Sequence, residues 1–145
     1  MNRIESFFKF LSEKQGKEPP LKYKILYAPE TLKEKELNVM GNLTLTNNTF
    51  LYSLPRGLSV HNSLLISNTP MEKLPDNLTV GGDLSMSSTK ISTIPKNLKL
   101  GRNLFLLYTP LEERYTGDEI RAEIERKGGH IKGKVFTKEN YTSFR

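Results

Sequence analysis

The chain has 145 residues, a formal net charge of +6 and no cysteine. That length fits one domain with a real core, and the missing thiols exclude disulfides and cysteine-ligated metal centres. The composition, 36% hydrophobic and 26% charged, is globular, and no apolar run approaches the roughly 18 residues that a membrane span needs.

Residues 2–14 predict a helix. Ile4, Phe7, Phe8 and Leu11 fall at i, i+3, i+4 and i+7, with Arg3, Glu5, Lys9 and Glu13 around the stripe. Gly16 and Pro19-Pro20 end it. Such a helix suits a cap over the first coil of a repeat structure. A partner-binding or membrane-surface helix is the competing reading, and the weakly basic polar face argues against the membrane. Phe7 to Leu11 is too short for a signal-peptide core, so a soluble, cytoplasmic protein is expected. Tyr23, Ile25 and Tyr27 alternate and predict a short strand over 22–27. Pro29 and the run Lys33-Glu34-Lys35-Glu36 predict a loop.

Leu54 to Leu111 is one unit written three times with a period of 20 residues. Leu54-Pro55, Leu74-Pro75 and Ile94-Pro95 open the copies. Leu58/Leu78/Leu98, Val60/Val80/Leu100, Leu64/Leu84/Leu104 and Ile66/Met86/Leu106 follow in register. Thr69/Thr89/Thr109 and Met71/Ile91/Leu111 close them. An ungapped period of this length predicts a solenoid whose coils bury apolar side chains against one another. Leu37, Val39, Leu43 and Leu45 begin an earlier, less regular copy with one extra residue, expected in Asn47-Asn48. Within a copy the apolar period is two, so each coil holds two short strands. Gly81-Gly82 and Gly101 lie between them, where a corner with positive φ is expected. The three threonines predict a stacked ladder in which each hydroxyl satisfies backbone.

These residues carry a resemblance. Leu84-x-Met86-x-x-Thr89-x-Ile91-x-x-Ile94-Pro95 resembles the LxLxxNxLxxLP segment of bacterial leucine-rich repeats, with Thr in place of the usual Asn. Leu-Pro-Asp-Asn-Leu-Thr-Val-Gly-Gly-Asp-Leu, Leu74 to Leu84, looks like the repeats of small proteins from tailed phages and bacteria. The resemblance implies a repeat fold and protein binding, and it brings no catalytic residue. The expected fold is mainly β: a solenoid or leucine-rich-repeat-like coil of about four repeats, either a compact β-solenoid or an open horseshoe. An N-terminal helical cap and a C-terminal helix-strand cap would flank it.

After Leu111 the pattern stops. Thr116 and Glu119 have capping-box spacing and open a helix with Ile120 and Ile124 on one face. Gly128-Gly129 ends it. Ile131, Gly133 and Val135 alternate with Lys132, Lys134 and Phe136, predicting a last strand, and residues 112–136 read as the C-terminal cap. Residues 126–145 hold six basic groups against one acid, and a solvated tail is the simplest account of them.

Catalysis finds little support. His61 and His130 lie in different elements, and no nucleophile, metalloprotease or phosphate-loop motif is present. Gly81-Gly82 precedes a strand and not the helix that a phosphate loop requires. Asp83 reads as a hydrogen-bonding corner residue. A deep pocket lined by two or more carboxylates would revive the enzyme reading. No cofactor, metal or membrane partner is expected. If Leu84 and Met86 point inward, Ser85 and Ser87 point outward, as do Leu65 and Ser67, and Phe105 and Leu107. With Tyr108 these form the expected docking face for another protein, a host factor if the chain is phage-encoded. The competing expectation is that the C-terminal segment covers Phe105 and Leu107. The alternative function is nucleic-acid binding by a basic end of Lys96, Lys99, Arg102, Lys132 and Lys134.

Overall fold

The computed structural model describes residues 21–142 of the chain. The helix expected over 2–14 lies outside them. The body is a β-solenoid. Each coil contributes a two-residue strand to each of two parallel sheets: β1 Asn38–Val39 and β2 Leu43–Thr44, β3 Ser59–Val60 and β4 Leu64–Leu65, β5 Thr79–Val80 and β6 Leu84–Ser85, β7 Lys99–Leu100 and β8 Leu104–Phe105, β9 His130–Ile131 and β10 Val135–Phe136. The odd strands form one sheet in the order β1-β3-β5-β7-β9 and the even strands the other. Val60 pairs with Val80, Val80 with Leu100, Leu64 with Leu84 and Leu84 with Leu104. Every one of these pairs is separated by the 20-residue period, so register follows directly from the repeat. A slip of one residue would turn the whole apolar set outward.

The core is the inward half of that pattern. Leu58, Leu64, Ile66, Leu78, Leu84, Ile91, Leu98 and Leu104 are fully buried. At roughly 1.5–3 kcal/mol for each large apolar side chain, stacking of rungs is the dominant stabilising term. The threonine ladder forms as expected: the Thr69, Thr89 and Thr109 hydroxyls donate to the carbonyls of Ile66, Met86 and Leu106 at 2.7–2.8 Å.

The first rung corrects two expectations. Asn48 stands at the ladder position, with Nδ2 donating to the Leu45 carbonyl at 3.0 Å. Asn47 is the left-handed partner of Asn68, at φ 66° against 58°, and the two side chains are bonded at 2.8 Å. The extra residue therefore falls in the exposed Thr49-Phe50 turn, not in Asn47-Asn48. Residues 22–27 are not a strand. Leu21–Tyr27 is a helix, α1, and 3-10 turns follow at Pro29–Thr31 and Glu34–Leu37. Ile25 and Ala28, three apart, are both buried, and Tyr23 stacks on Tyr27 one turn on, centroids 6.2 Å apart. The alternation of Tyr23, Ile25 and Tyr27 fits a strand, but the i, i+3 and i, i+4 contacts prevail. The buried Lys24 ammonium reaches the Glu36 carboxylate at 3.1 Å, so the charged run at 33–36 fastens α1 to the first rung.

The glycines between strands also act otherwise than expected. Gly81, Gly82 and Gly101 have no positive φ. They are needed for close approach: a Cβ on Gly81 would lie 2.1 Å from the His61 carbonyl oxygen, and one on Gly101 would lie 2.2 Å from that of Gly81. Outside the glycines, left-handed backbone is carried mainly by asparagines, whose short polar side chains tolerate it. Asn77 and Asn97, at φ 60° and 57°, stack with the Asn97 amide donating to Asn77 at 2.8 Å.

The C-terminal segment is more than a cap. Val135 and Phe136 pair with Leu104 and Phe105, and His130 and Ile131 with Lys99 and Leu100. It forms a fifth rung, reached after two inserted helices, α2 Pro110–Arg114 and α3 Gly117–Arg126. Thr109, the last ladder residue, also caps α2 by accepting from the Glu112 N–H. Thr116 and Glu119 form the expected capping box of α3, which buries Ile120 and Ile124. A last turn of helix, α4 Lys138–Thr142, follows. The open strand edge beyond β9 and β10 is met by side chains. Arg121 donates to the carbonyls of Ile131 and Gly133, and Asn140 donates to that of Val135. These bonds take up acceptors to which another strand could pair.

Candidate functional site

Because inward positions carry the core, chemistry must lie on the outward faces. On the even-strand sheet one outward column runs Thr44, Leu65, Ser85, Phe105, Phe136, following the pairings of β2, β4, β6, β8 and β10. The next column holds Ser67, Ser87 and Leu107. The fold thus brings Leu65, Ser67, Ser85, Ser87, Phe105 and Leu107 onto one face, all half-buried, with Tyr108 at its rim, 62% exposed. The small residues make internal bonds. The Ser67 and Ser85 hydroxyls are 2.8 Å apart, and Ser87 Oγ accepts from the Leu107 N–H at 3.1 Å. That leaves apolar surface as the main outward offering.

Phe105 is neither bare nor covered over. Its ring stacks on Phe136 with centroids 4.8 Å apart and planes 13° apart. Tyr141 meets both rings edge-on at 6.5 and 6.3 Å. The last rung therefore shields one face of Phe105: Phe136 is itself buried, and Tyr141 is the exposed ring of the three. Phe136 and Tyr141 were not singled out from the sequence. The signal that could have found Phe136 is the spacing Ile131–Val135, which equals Leu100–Leu104.

The basic residues divide. Lys99 and Lys132 share the outer face of the odd-strand sheet, together with His130, the register partner of Lys99. Lys96 sits at the corner before that strand, where its backbone N–H donates to Asp76. Arg102 lies at the corner after β7 and Lys134 at the corner after β9, where Lys134 shares a cleft with Asp118 and Arg121 of α3. All five are exposed, yet they form a cluster on the last two rungs and not a stripe along the solenoid.

The corner before the even strands holds Asn42, Ser63, Asp83 and Asn103. Each side-chain oxygen accepts the N–H of the next rung, at Ser63, Asp83, Asn103 and Lys134, over 2.8–3.1 Å. Asp83 has the corner role read from its sequence position. His61 is exposed.

A cleft of about 420 Å³, open to solvent and not a deep pocket, lies among α2, the start of α3 and α4 and is lined by Glu112, Glu113, Glu119 and Glu139 with Tyr108 and Tyr115. Two of its carboxylates are engaged in holding backbone: Glu112 accepts from the N–H groups of Tyr108 and Lys138, and Glu119 from that of Thr116. Among the described residues no group of three or more His, Cys, Asp or Glu converges as a metal site, and no helix is long and apolar enough to cross a membrane. The Glu36 carboxyl is the shifted group with a structural role. Burial disfavours its charge, but hydrogen bonds from the Lys33 N–H and the Lys24 ammonium outweigh that and hold it below the ordinary carboxylate range.

No protein-family model, curated protein or solved structure matches the chain.

Proposed function

We propose that the protein is a non-catalytic repeat module that binds another protein through the outer face of its even-strand sheet. The observation that carries this reading is the half-exposed row Leu65, Phe105 and Leu107, rimmed by the exposed rings of Tyr108 and Tyr141, with Tyr141 edge-on to Phe105. Flat faces with aromatic anchors among small residues suit protein docking. The likeness of Leu74 to Leu84 to phage and bacterial repeats supports a phage-encoded modulator of a host factor, acting in the cytoplasm.

Affinity capture from the native host tests it. Wild-type protein should retain a stoichiometric protein partner, and Phe105→Ser with Leu107→Ser should lose it while keeping the native circular-dichroism spectrum. Recovery of nucleic acid alone, with no stoichiometric protein, would overturn the reading.

A further inference from the structure

The odd-strand sheet presents a second surface with different chemistry. Its outward columns run Asn38, Ser59, Thr79, Lys99, His130 and, two residues on, Met40, His61, Gly81, Gly101, Lys132. Gly81 and Gly101 leave two neighbouring rungs without side chains. Between them and the flanking Thr79 lies a shallow trough of about 250 Å³, walled at its C-terminal end by Lys99, His130 and Lys132. None of the outward positions in these two columns is acidic. A hydrogen bond between His130 Nδ1 and Glu125 at 2.8 Å holds the imidazole but leaves both lysines lining the trough. Two rungs at about 4.8 Å spacing give a floor about 10 Å long, enough for a few residues of extended chain.

We propose that this trough binds a short acidic segment of a partner protein, its backbone over Gly81 and Gly101 and its carboxylates on Lys99 and Lys132. Charge complementarity selects the occupant, because an apolar floor with a cationic wall matches an extended chain carrying two or three carboxylates. Nucleic acid fits less well on two grounds. Phosphate recognition wants a row of cations, whereas the first three rungs offer Asn38, Ser59 and Thr79. Unpaired bases want aromatic stacking partners, and these columns hold neither Phe nor Tyr. The surface is independent of the even-strand face.

Fluorescence anisotropy on the full chain tests the assignment, with labelled deca-glutamate, deca-glutamine and a ten-nucleotide deoxythymidine strand as probes. Deca-glutamate should bind more tightly than either other probe and weaken as salt rises. Lys99→Glu with Lys132→Glu should lower its affinity at least about tenfold. Thr79→Trp, which fills the trough without changing the charge, should do the same, and Lys99→Gln with Lys132→Gln serves if the reversed pair misfolds. Lys73→Glu with Lys90→Glu, a change of equal net charge at other exposed positions, should leave affinity unchanged. Equal loss in that control would mean diffuse attraction to a basic protein, and unchanged binding in Thr79→Trp would remove the trough from the site. Tighter binding of the deoxythymidine strand through the same lysines would assign the surface to nucleic acid. Each of these results overturns the proposal.

Discussion

At the scale of single residues, backbone satisfaction and close approach account for much of what is not apolar. Thr89 is buried, with its hydroxyl 2.8 Å from the Met86 carbonyl oxygen. Thr89→Val keeps the shape and leaves that carbonyl without its donor, so a loss of about 1–3 kcal/mol is expected in urea unfolding. Gly101→Ala should cost about 3 kcal/mol, the upper end of the usual overpacking range, because its Cβ would meet the Gly81 carbonyl oxygen at 2.2 Å. His61 and Lys132 hold the same register in outer rungs, so the demand for glycine belongs to the middle of the stack. Glu36 supplies a pH signature. Its folded-state carboxyl lies below the usual range, so its contribution is fully present above the unfolded pKa of about 4.3 and is lost as pH falls through the folded value. Glu36→Gln should lower stability at pH 7 and flatten the stability profile over that acid window, measured by thermal unfolding from pH 3 to pH 7.

At the scale of elements, the rungs were legible in the sequence and their ends were not. Leu84, Met86, Thr89 and Ile94 recur without a gap, and every repeat takes the same path, so period alone determined both sheets and their register. The fifth rung escaped because α2 and α3 stand between Leu111 and Gly128 and break the count. Its strands still keep the four-residue spacing of Ile131 and Val135. The strand expected over 22–27 failed for a different reason: six residues with apolar groups at both two- and three-residue spacing satisfy either periodicity, and only contact with the first rung decides. The outer face of the even-strand sheet was legible as outward positions, because inward ones could be named. The packing of Phe136 and Tyr141 against Phe105 was not, since it depends on the unseen rung. The edge bonds from Arg121 were equally invisible, because an arginine on a helix carries no sign of a target 10 and 12 residues away. Arg121→Ala should bare the carbonyls of Ile131 and Gly133. The expected result is faster amide exchange in β9 and β10 and concentration-dependent association in analytical ultracentrifugation, with β5 and β6 unaffected.

At the scale of the whole molecule, a solenoid separates its duties by direction. The interior is uniform along the axis, so stability is close to a sum of rung and interface terms. The two outer faces are free to differ, and they do: one is apolar and aromatic near its C-terminal end, the other small, bare and cationic. Both gather their distinctive side chains on the last two rungs, where Phe105 and Phe136 share one sheet and Lys99 and Lys132 the other. A partner large enough to wrap that end could engage both faces, whereas two small ligands would not sense one another. These cases separate by additivity. Phe105→Ser and Lys99→Gln lie on opposite sides of a rigid core, so their effects on stability should add within about 0.5 kcal/mol. Their effects on capture of a common partner should also add in free energy, and only the Lys99 term should shrink at high salt, because surface charges are screened and apolar burial is not. Measuring both variants and the double variant at low and high salt checks this. A salt-dependent Phe105 term would place charge at the even-strand face, and strong non-additivity in stability would mean that the rungs are not the independent units their period implies.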